Sequence, residues 1–518
     1  MFVPLTINDF LDRAAAVYPD RIAIVDEPDQ PAPPLPDLTW RQVADLRRQM
    51  GLALDAMGLA MGARIAVASP NAARFLLLYY GISGNGRVVV PINWRLNSDE
   101  VAWIVDDAGA ELLLLDPDQV PALGHIRGPH IIVMGSEFDA AWFGRDGEPA
   151  LWTPDESATM AIDYTSGTTA RPKGVEQTHR ARWTNAVVWG WQLGISDRDV
   201  YLSVVPMFHC DAWGMPYTLA AMGVKTVVVR KVNGMEILKR VRDHGITLTC
   251  GAPSVCTAVL DAAAQWDRSK EGDIPGRGRV RMVVAGAPPP TSVIERMESE
   301  LGWEFIQIYG LTETAPLLTM SRRRAEWDNL SSHERAQRLG RAGAPAVGIR
   351  MGVSPDGELL ARGNHVLTNY WRNTQATDAA IQDGWFHTGD GGHADAEGYF
   401  HITDRKKDVI ISGGENVSSI EVEDRLLSHP DVKEAAVIGV PDARWGETVK
   451  ALVVLAPGQA AAPDVEQALI TFCRQTLAHY KCPTTVEFRH ALERTATGKL
   501  QKFKLREPYW AGNQRRVN

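Results

Sequence analysis

The sequence predicts an α/β fold. A large N-terminal domain of layered, mostly parallel sheets with helices is followed by a small C-terminal α+β domain. Three observations carry that expectation. First, the short apolar runs "ARIAVASP", "GRVVVPIN", "AELLLLDP", "HIIVMG", "KTVVVR", "TLTCGAPS" and "VRMVVAGAP" end in small residues, Pro or Asp, as strands entering loops do. Second, segments such as "TWRQVADLRRQMGLALDAMG" and "GMEILKRVRDHG" lie between them with apolar residues three and four apart, the spacing of a half-buried helix. Strand and helix patterns that alternate in this way build layers around largely parallel strands. Third, the pattern changes near residue 400 to a charged stretch, Gly-Gly, a helix and a hairpin-like run of strands. That stretch has the size of an ordinary small domain. The boundary is expected at "TDRKKD", dividing the chain into residues 1–403 and 404–518.

The elements can be justified in order. The N-terminus, "MFVPLTINDFLDRAAAVYPDRIAIVD", reads as an amphipathic helix followed by a short strand, with Asp9, Asp12 and Arg13 on the polar face. It has neither the basic leader nor the apolar centre of a secretory signal. "DEPDQPAPPLPDLTW", rich in Pro and Asp, reads as an exposed loop between that strand and the next helix. Runs such as "FLLLYYGI" fall well short of the roughly 20 apolar residues that span a bilayer, so no transmembrane segment is expected. No repeat of solenoid length is visible.

Composition narrows the class. The chain has 518 residues, 45% hydrophobic and 23% charged, enough for large cores and more than one domain. A formal net charge of −9 supplies no general basic field, so nucleic acid is not an expected partner. The five cysteines are odd in number, scattered, and nowhere spaced as a metal knuckle, which suits a reducing, cytoplasmic setting.

The stretch at residues 164–175, "YTSGTTARPKGV", has too little apolar surface and too much backbone freedom to build a core. It reads as a surface loop or as a phosphate cradle. Backbone N–H groups at glycines, Ser/Thr hydroxyls and a lysine are the donors a triphosphate needs. The spacing is not that of a Walker loop, because Lys173 follows a proline and is followed by Gly174. A conventional phosphate-loop ATPase is therefore disfavoured.

With Arg-Pro-Lys-Gly attached, this loop resembles the signature of the adenylate-forming superfamily: acyl-CoA synthetases, peptide-synthetase adenylation domains and firefly-type luciferases. Other segments resemble the family's motifs in order. "PMFHCDAWG" (206–214) resembles the acyl-pocket gate; "AGAPPP" (285–290) and "QIYGLTET" (307–314) resemble the adenine- and acyl-binding strands. "GWFHTGD" (384–390) resembles the ribose motif, "DRKKDVIISGGENVSSIEVE" (404–423) the hinge and the loop behind it, and "RTATGKLQK" (494–502) the catalytic-lysine motif. The resemblance covers nearly the whole chain, and its acyl-CoA synthetase branch fits best.

What the resemblance implies is a reaction of a carboxylic acid with ATP and Mg²⁺ to give acyl-adenylate and pyrophosphate, then transfer of the acyl group to CoA. The site must bring two anions together in line. Thr165, Ser166, Gly167, Thr168, Thr169 and Lys173 would clasp the phosphates, with Glu313 and Thr168 toward Mg²⁺. Gly286, Ala287, Pro288, Tyr309, Gly310 and Thr312 would line the adenine site, with Tyr309 stacking. Asp390 would accept from the ribose hydroxyls, and Arg405 would contact ribose or phosphate. Lys499 would bridge the substrate carboxylate and the α-phosphate. The small domain would rotate about Lys407, bringing Gly413 and Gly414 to line the pantetheine tunnel and Trp445 toward the CoA nucleotide.

His209, Trp213, Gly214, Ala285 and Ala315 would form the acyl pocket, which is small and apolar, with His209 as its gate. An apolar acid is expected, either a medium- or long-chain fatty acid or an aryl or bulky cyclic one. Asp211 is the one acidic residue near the position where relatives hold a substrate amine. Among sixteen tryptophans, Trp183, Trp189 and Trp191 fall in the helix after the phosphate loop, where core packing is the ordinary reading. The alternatives are a ligase that loads a separate acyl-carrier protein, a luciferase-like oxygenase and a nucleotide-sensing module. A homodimer is compatible with the sequence.

Overall fold

The computed structural model describes residues 1–165, 172–405, 408–412, 415–442, 445–495 and 500–511. Each of the seven apolar runs expected to be strands forms one, whereas "FLLLYYGI" is helical. Arg64–Ala68, Val88–Ile92, Leu112–Leu115 and His130–Val133 lie in a six-stranded sheet, completed by Thr159–Thr165 and Lys173–Thr178. All its pairings are parallel except the last, where Thr159–Thr165 and Lys173–Thr178 form an antiparallel hairpin. A second sheet of nine strands carries Lys225–Val228, Leu248–Gly251, Arg281–Val284 and Glu304–Tyr309 in parallel at its centre. Its antiparallel strands sit at the ends, where Thr319–Ser321 folds back on Glu304–Tyr309.

Helices cover these sheets because their apolar stripes match the sheet faces. The helix Asn8–Val17 buries Phe10, Leu11 and Ala14, as its spacing predicts, and the strand Ile22–Val25 follows it. Trp40–Ala56 begins at a capping box in which Thr39 and Gln42 satisfy each other's backbone N–H. The loop between them is less exposed than its composition suggests. Asp26 and Glu27 are buried, and Asp26 accepts hydrogen bonds from the backbone N–H of Glu27, Leu35 and Ala73. A buried carboxylate that organises three backbone donors makes a polar loop part of the interior.

That loop also helps join the two sheets. Arg240 pairs with Glu27 at 2.9 Å, and Arg230 pairs with Asp116 at 2.7 Å, all four side chains being nearly inaccessible. Arg230 follows a strand of the nine-stranded sheet and Asp116 follows a strand of the six-stranded one.

Two further sheets follow, of which the first was not legible in the sequence and the second was expected as the hairpin-like strands of the small domain. Arg350–Val353, Glu358–Arg362, Ile381–Gln382, Trp385–Ala394 and Phe400–Arg405 form an antiparallel sheet, so the large body is not built from parallel strands alone. The last sheet pairs Val432–Asp442 with Gly446–Leu455 as a long hairpin. Thr485–Phe488 joins its edge in parallel, and the helices Ser419–Leu427 and Pro463–Arg474 pack on it. The change from the third sheet to this one falls between Arg405 and Ile410. No helix among the described residues is long and apolar enough to cross a membrane.

Candidate active site

The hairpin Thr159–Thr165/Lys173–Thr178 fixes the two ends of the glycine- and hydroxyl-rich loop. Thr165 and Lys173 are cross-strand partners, and Thr165 Oγ1 donates to the Lys173 carbonyl at 3.4 Å. The strand Lys173–Thr178 is then extended on its other side by residues 369–371. The Trp371 N–H donates to the Gly174 carbonyl at 2.8 Å and the Glu176 N–H to the Asn369 carbonyl at 3.2 Å. This pairing places Tyr370 against Lys173, whose Nζ lies 5.0 Å from the ring centroid. The Tyr370 hydroxyl donates to Glu313 Oε1 at 2.9 Å. Burial, and then the Glu313 carboxylate, push the Tyr370 phenol far above its ordinary value, so it remains a donor.

Glu313 sits in the short helical turn Thr312–Thr314 that follows the strand Glu304–Tyr309. Its carbonyl accepts from Leu367 N–H at 2.7 Å, and the Thr312 carbonyl accepts from the Gln177 amide at 2.7 Å. The turn needs Gly310. A Cβ there would lie 1.5 Å from the Pro316 carbonyl oxygen, a distance no side chain survives. Tyr309 is buried at the strand end, and its hydroxyl donates to Asp390 Oδ2 at 2.8 Å. Asp390 is held in turn by the Thr388 hydroxyl, which accepts from its N–H, and it pairs with Arg405 across the strands. Tyr309 and Asp390, predicted separately as adenine and ribose contacts, are thus direct neighbours.

The wall at 206–214 has an unusual backbone. Cys210, Asp211, Ala212 and Trp213 all have positive φ, between 48° and 63°, and Gly214 follows at 73°. Left-handed backbone costs an L-residue about 1–2 kcal/mol, so a run of four is held from outside. The holder is Arg182, on the helix His179–Leu193, which Thr178 caps. Its fully buried guanidinium lies 3.1 Å from Asp211, donates to Asp163 Oδ2 at 2.6 Å and donates to the Ala315 carbonyl at 3.0 Å. One arginine therefore joins the strand leading into the glycine- and hydroxyl-rich loop, the left-handed turn and the loop after Glu313. Burial, then the charge of Asp211, raises Asp163 well above the usual carboxylate range, and burial raises Asp211 too. Two carboxylates beside one cation share a proton rather than carry a buried net charge. Cys210 is tied to the neighbouring turn, its Sγ donating to Thr312 Oγ1 at 3.1 Å.

Of the predicted positions, Lys173, Glu313, Tyr309, Gly310, Thr312, Ala315, Asp390, Trp213, Gly214 and Ala285 gather around these contacts. Trp213, Ala285, Tyr309 and Tyr370 share one core cluster. Gly286, at φ 94°, Ala287 and Pro288 follow the strand Arg281–Val284 on more open backbone. His209 is half-buried at the start of the left-handed turn. Trp445 lies apart, 47% exposed in the turn of the long hairpin. Ser166, Gly167, Thr168, Thr169, Lys407, Gly413, Gly414 and Lys499 lie outside the described residues, as does the side chain of Arg405. The tryptophan reading holds for Trp189, which is fully buried, and in part for Trp183, which packs against the core. Trp183 is half-buried against Phe10 and donates to Asp9, while Trp191 is 80% exposed on the outer face of its helix. Sequence reasoning missed Arg182, Asp163 and Tyr370.

Comparison with known proteins decides the family. The AMP-binding enzyme model matches residues 11–371, and its C-terminal domain model matches residues 421–499. The chain belongs to the AMP-binding enzyme family. It is 34% identical to a 2-methylpropanoate–CoA ligase of Humulus lupulus, covering 97% of this chain and 95% of that one. A solved fatty acyl CoA synthetase of Mycobacterium tuberculosis superposes with a TM-score of 0.73 at 31% identity, covering 98% and 99% of the two chains. The o-succinylbenzoate CoA synthetase of Bacillus subtilis, solved with ATP and magnesium, gives 0.81 at 28% identity over 96% and 98%.

The enzyme is an AMP-forming acid–thiol ligase whose reaction uses ATP, Mg²⁺ and CoA. The donor set suits that chemistry. Among the described residues no three His, Cys, Asp or Glu side chains gather as a metal cage. One carboxylate, Glu313, beside a tyrosine hydroxyl and near a lysine is instead the kind of set that meets a magnesium ion carried in on phosphate oxygens.

Proposed function

We propose that this ligase activates an apolar monocarboxylic acid lacking a charged amine and transfers the acyl group to free CoA. The observation that supports this is the burial of Asp211. The one carboxylate in the predicted acyl wall is inaccessible and faces Arg182, leaving small and apolar groups, Gly214, Ala285 and Ala315 with Trp213, to meet the substrate. Similarity to the hop 2-methylpropanoate ligase over almost the full length favours a short straight or branched acid. Fatty, aryl and bulky cyclic acids are the competing classes.

In this reading Lys173 and the loop at residues 165–169 hold the β- and γ-phosphates, and Glu313 with Thr168 meets Mg²⁺. Asp390, tied to Tyr309, takes the ribose. Lys499 draws carboxylate and α-phosphate together, which is catalysis by charge neutralisation and placement. Residues 404–518 act as a moving unit on the body formed by 1–403 and turn about Lys407. Among the described residues the present arrangement carries ties between these units: Thr291 donates N–H and hydroxyl to the Asp424 carboxylate, and the Ser418 hydroxyl donates to the Thr403 carbonyl. Rotation would break and remake such contacts.

The test is pyrophosphate release with ATP and Mg²⁺ against acetate, butyrate, 2-methylpropanoate, longer fatty acids, benzoates, cinnamates, bulky cyclic acids and amino acids, with CoA or a holo-carrier protein. Release that depends on an apolar acid and speeds up with CoA is expected. Release with amino acids overturns the substrate class, and acceleration by carrier protein alone overturns the acceptor.

A further inference from the structure

Glu313 and Lys173 stand at opposite ends of a chemical problem. An acid and a base close together in a half-buried site attract each other, and a direct ion pair would consume the two charges that Mg²⁺ and phosphate require. Among the described residues Lys173 and Glu313 form no ion pair with each other; each instead touches Tyr370. The hydroxyl takes Glu313 Oε1 at 2.9 Å and the ring takes the Lys173 ammonium at 5.0 Å.

Tyr370 is itself fixed from several sides. It is 7% exposed, its backbone bridges Val175 in the phosphate-loop hairpin, and its N–H donates to Thr377 Oγ1 at 3.0 Å. Leu367, three residues earlier, holds the Glu313 carbonyl. A phenol offers a neutral donor at its tip and a negative π face at its side, so one rigid side chain can hold an anion and a cation at separate points.

We propose that Tyr370 is a positioning residue of the adenylation step, setting Glu313 and Lys173 apart and in orientation for Mg²⁺ and phosphate. The inference rests on the proposed roles of those two residues.

The test titrates α,β-methylene-ATP into the full-length enzyme by calorimetry, with and without Mg²⁺, in the absence of acid and CoA. Tyr370→Phe, Tyr370→Leu and Glu313→Gln are compared with wild type, each with its melting temperature. In Tyr370→Phe, which loses the hydroxyl and keeps the ring, metal-free binding is expected to stay within about twofold. Its Mg²⁺ enhancement should fall about tenfold, as loss of a hydrogen bond to a charged group implies. Tyr370→Leu should lose metal-free binding as well, through Lys173.

A Tyr370→Phe enzyme with wild-type Mg²⁺ enhancement overturns the proposal, provided Glu313→Gln loses it. If Glu313→Gln also keeps it, the underlying assignment of Glu313 is what fails. Equal loss with and without Mg²⁺ in Tyr370→Phe, accompanied by a lower melting temperature, marks a merely structural side chain and also overturns it.

Discussion

Arg182 Nε and Asp211 Oδ2 lie 3.1 Å apart, and neither side chain has any exposed surface. The pair links a regular helix to four consecutive left-handed residues, which makes the arginine the external support of a strained wall.

The two partners are therefore expected to respond unequally to mutation. Arg182→Leu leaves Asp163 and Asp211 buried without their cation and should cost about 3–5 kcal/mol. Asp211→Asn should be near neutral, because Asn tolerates positive φ and Asp163 alone still balances the Arg182 charge. Urea unfolding measures both. Equal losses would mean that the turn does not depend on the arginine.

Gly310→Ala is expected to abolish acid-dependent pyrophosphate release. Its methyl group would enter the Pro316 carbonyl, and the peptide carrying Thr312 and Glu313 would have to move. Overpacking of this kind costs about 1–3 kcal/mol or more. A crystal structure or the rate of pyrophosphate release decides it, and unchanged kinetics would show that the Glu313 turn tolerates displacement.

Lys499→Ala should stop adenylate formation while sparing thioester formation from supplied acyl-adenylate. Lys407→Pro should do the reverse. Single-turnover assays of each half-reaction separate the two, and equal loss of both half-reactions in Lys499→Ala would refute the assigned role.

Stability should decline in mild acid. Burial lowers both His365 and His179 to about 4. His365 donates from Nε2 to the Leu317 carbonyl at 2.7 Å, and His179 Nδ1 accepts from the Ile7 N–H. Both are therefore neutral when folded. Between their ordinary value near 6.5 and about 4 the unfolded chain binds more protons, so stability falls as pH drops through that window. Each histidine contributes a slope of up to about 1.4 kcal/mol per pH unit. Urea midpoints from pH 7.5 to 5 measure the slope, and His365→Gln should flatten it.

Most of the parallel strands of the two large sheets were legible because fully buried parallel strands are continuous apolar runs, as "VVV" and "LLLL" show. The antiparallel sheet around Trp385–Ala394 was not, because its strands are only half-buried and carry Glu358, His387 and Asp390 among apolar residues. The glycine- and hydroxyl-rich stretch at 164–175 and the turn after Glu304–Tyr309 stood out by composition and order. Tyr370 and Arg182 did not. An arginine in a helix normally faces water, and a tyrosine beside a tryptophan normally packs, so only the pairing of residues 369–371 with the hairpin and the contacts of Asp163 and Asp211 reveal what these two hold.

The support of the left-handed turn from a distant helix bears on redesign of substrate range. The shape of residues 210–214 is not written in their own conformational preferences, so a library that randomises them alone would mostly sample collapsed walls. Under the proposed function, diversity introduced at Ala285 or Ala315, with Arg182, Asp163 and Asp211 left intact, is expected to alter the volume offered to the acid while the scaffold behind it stays put.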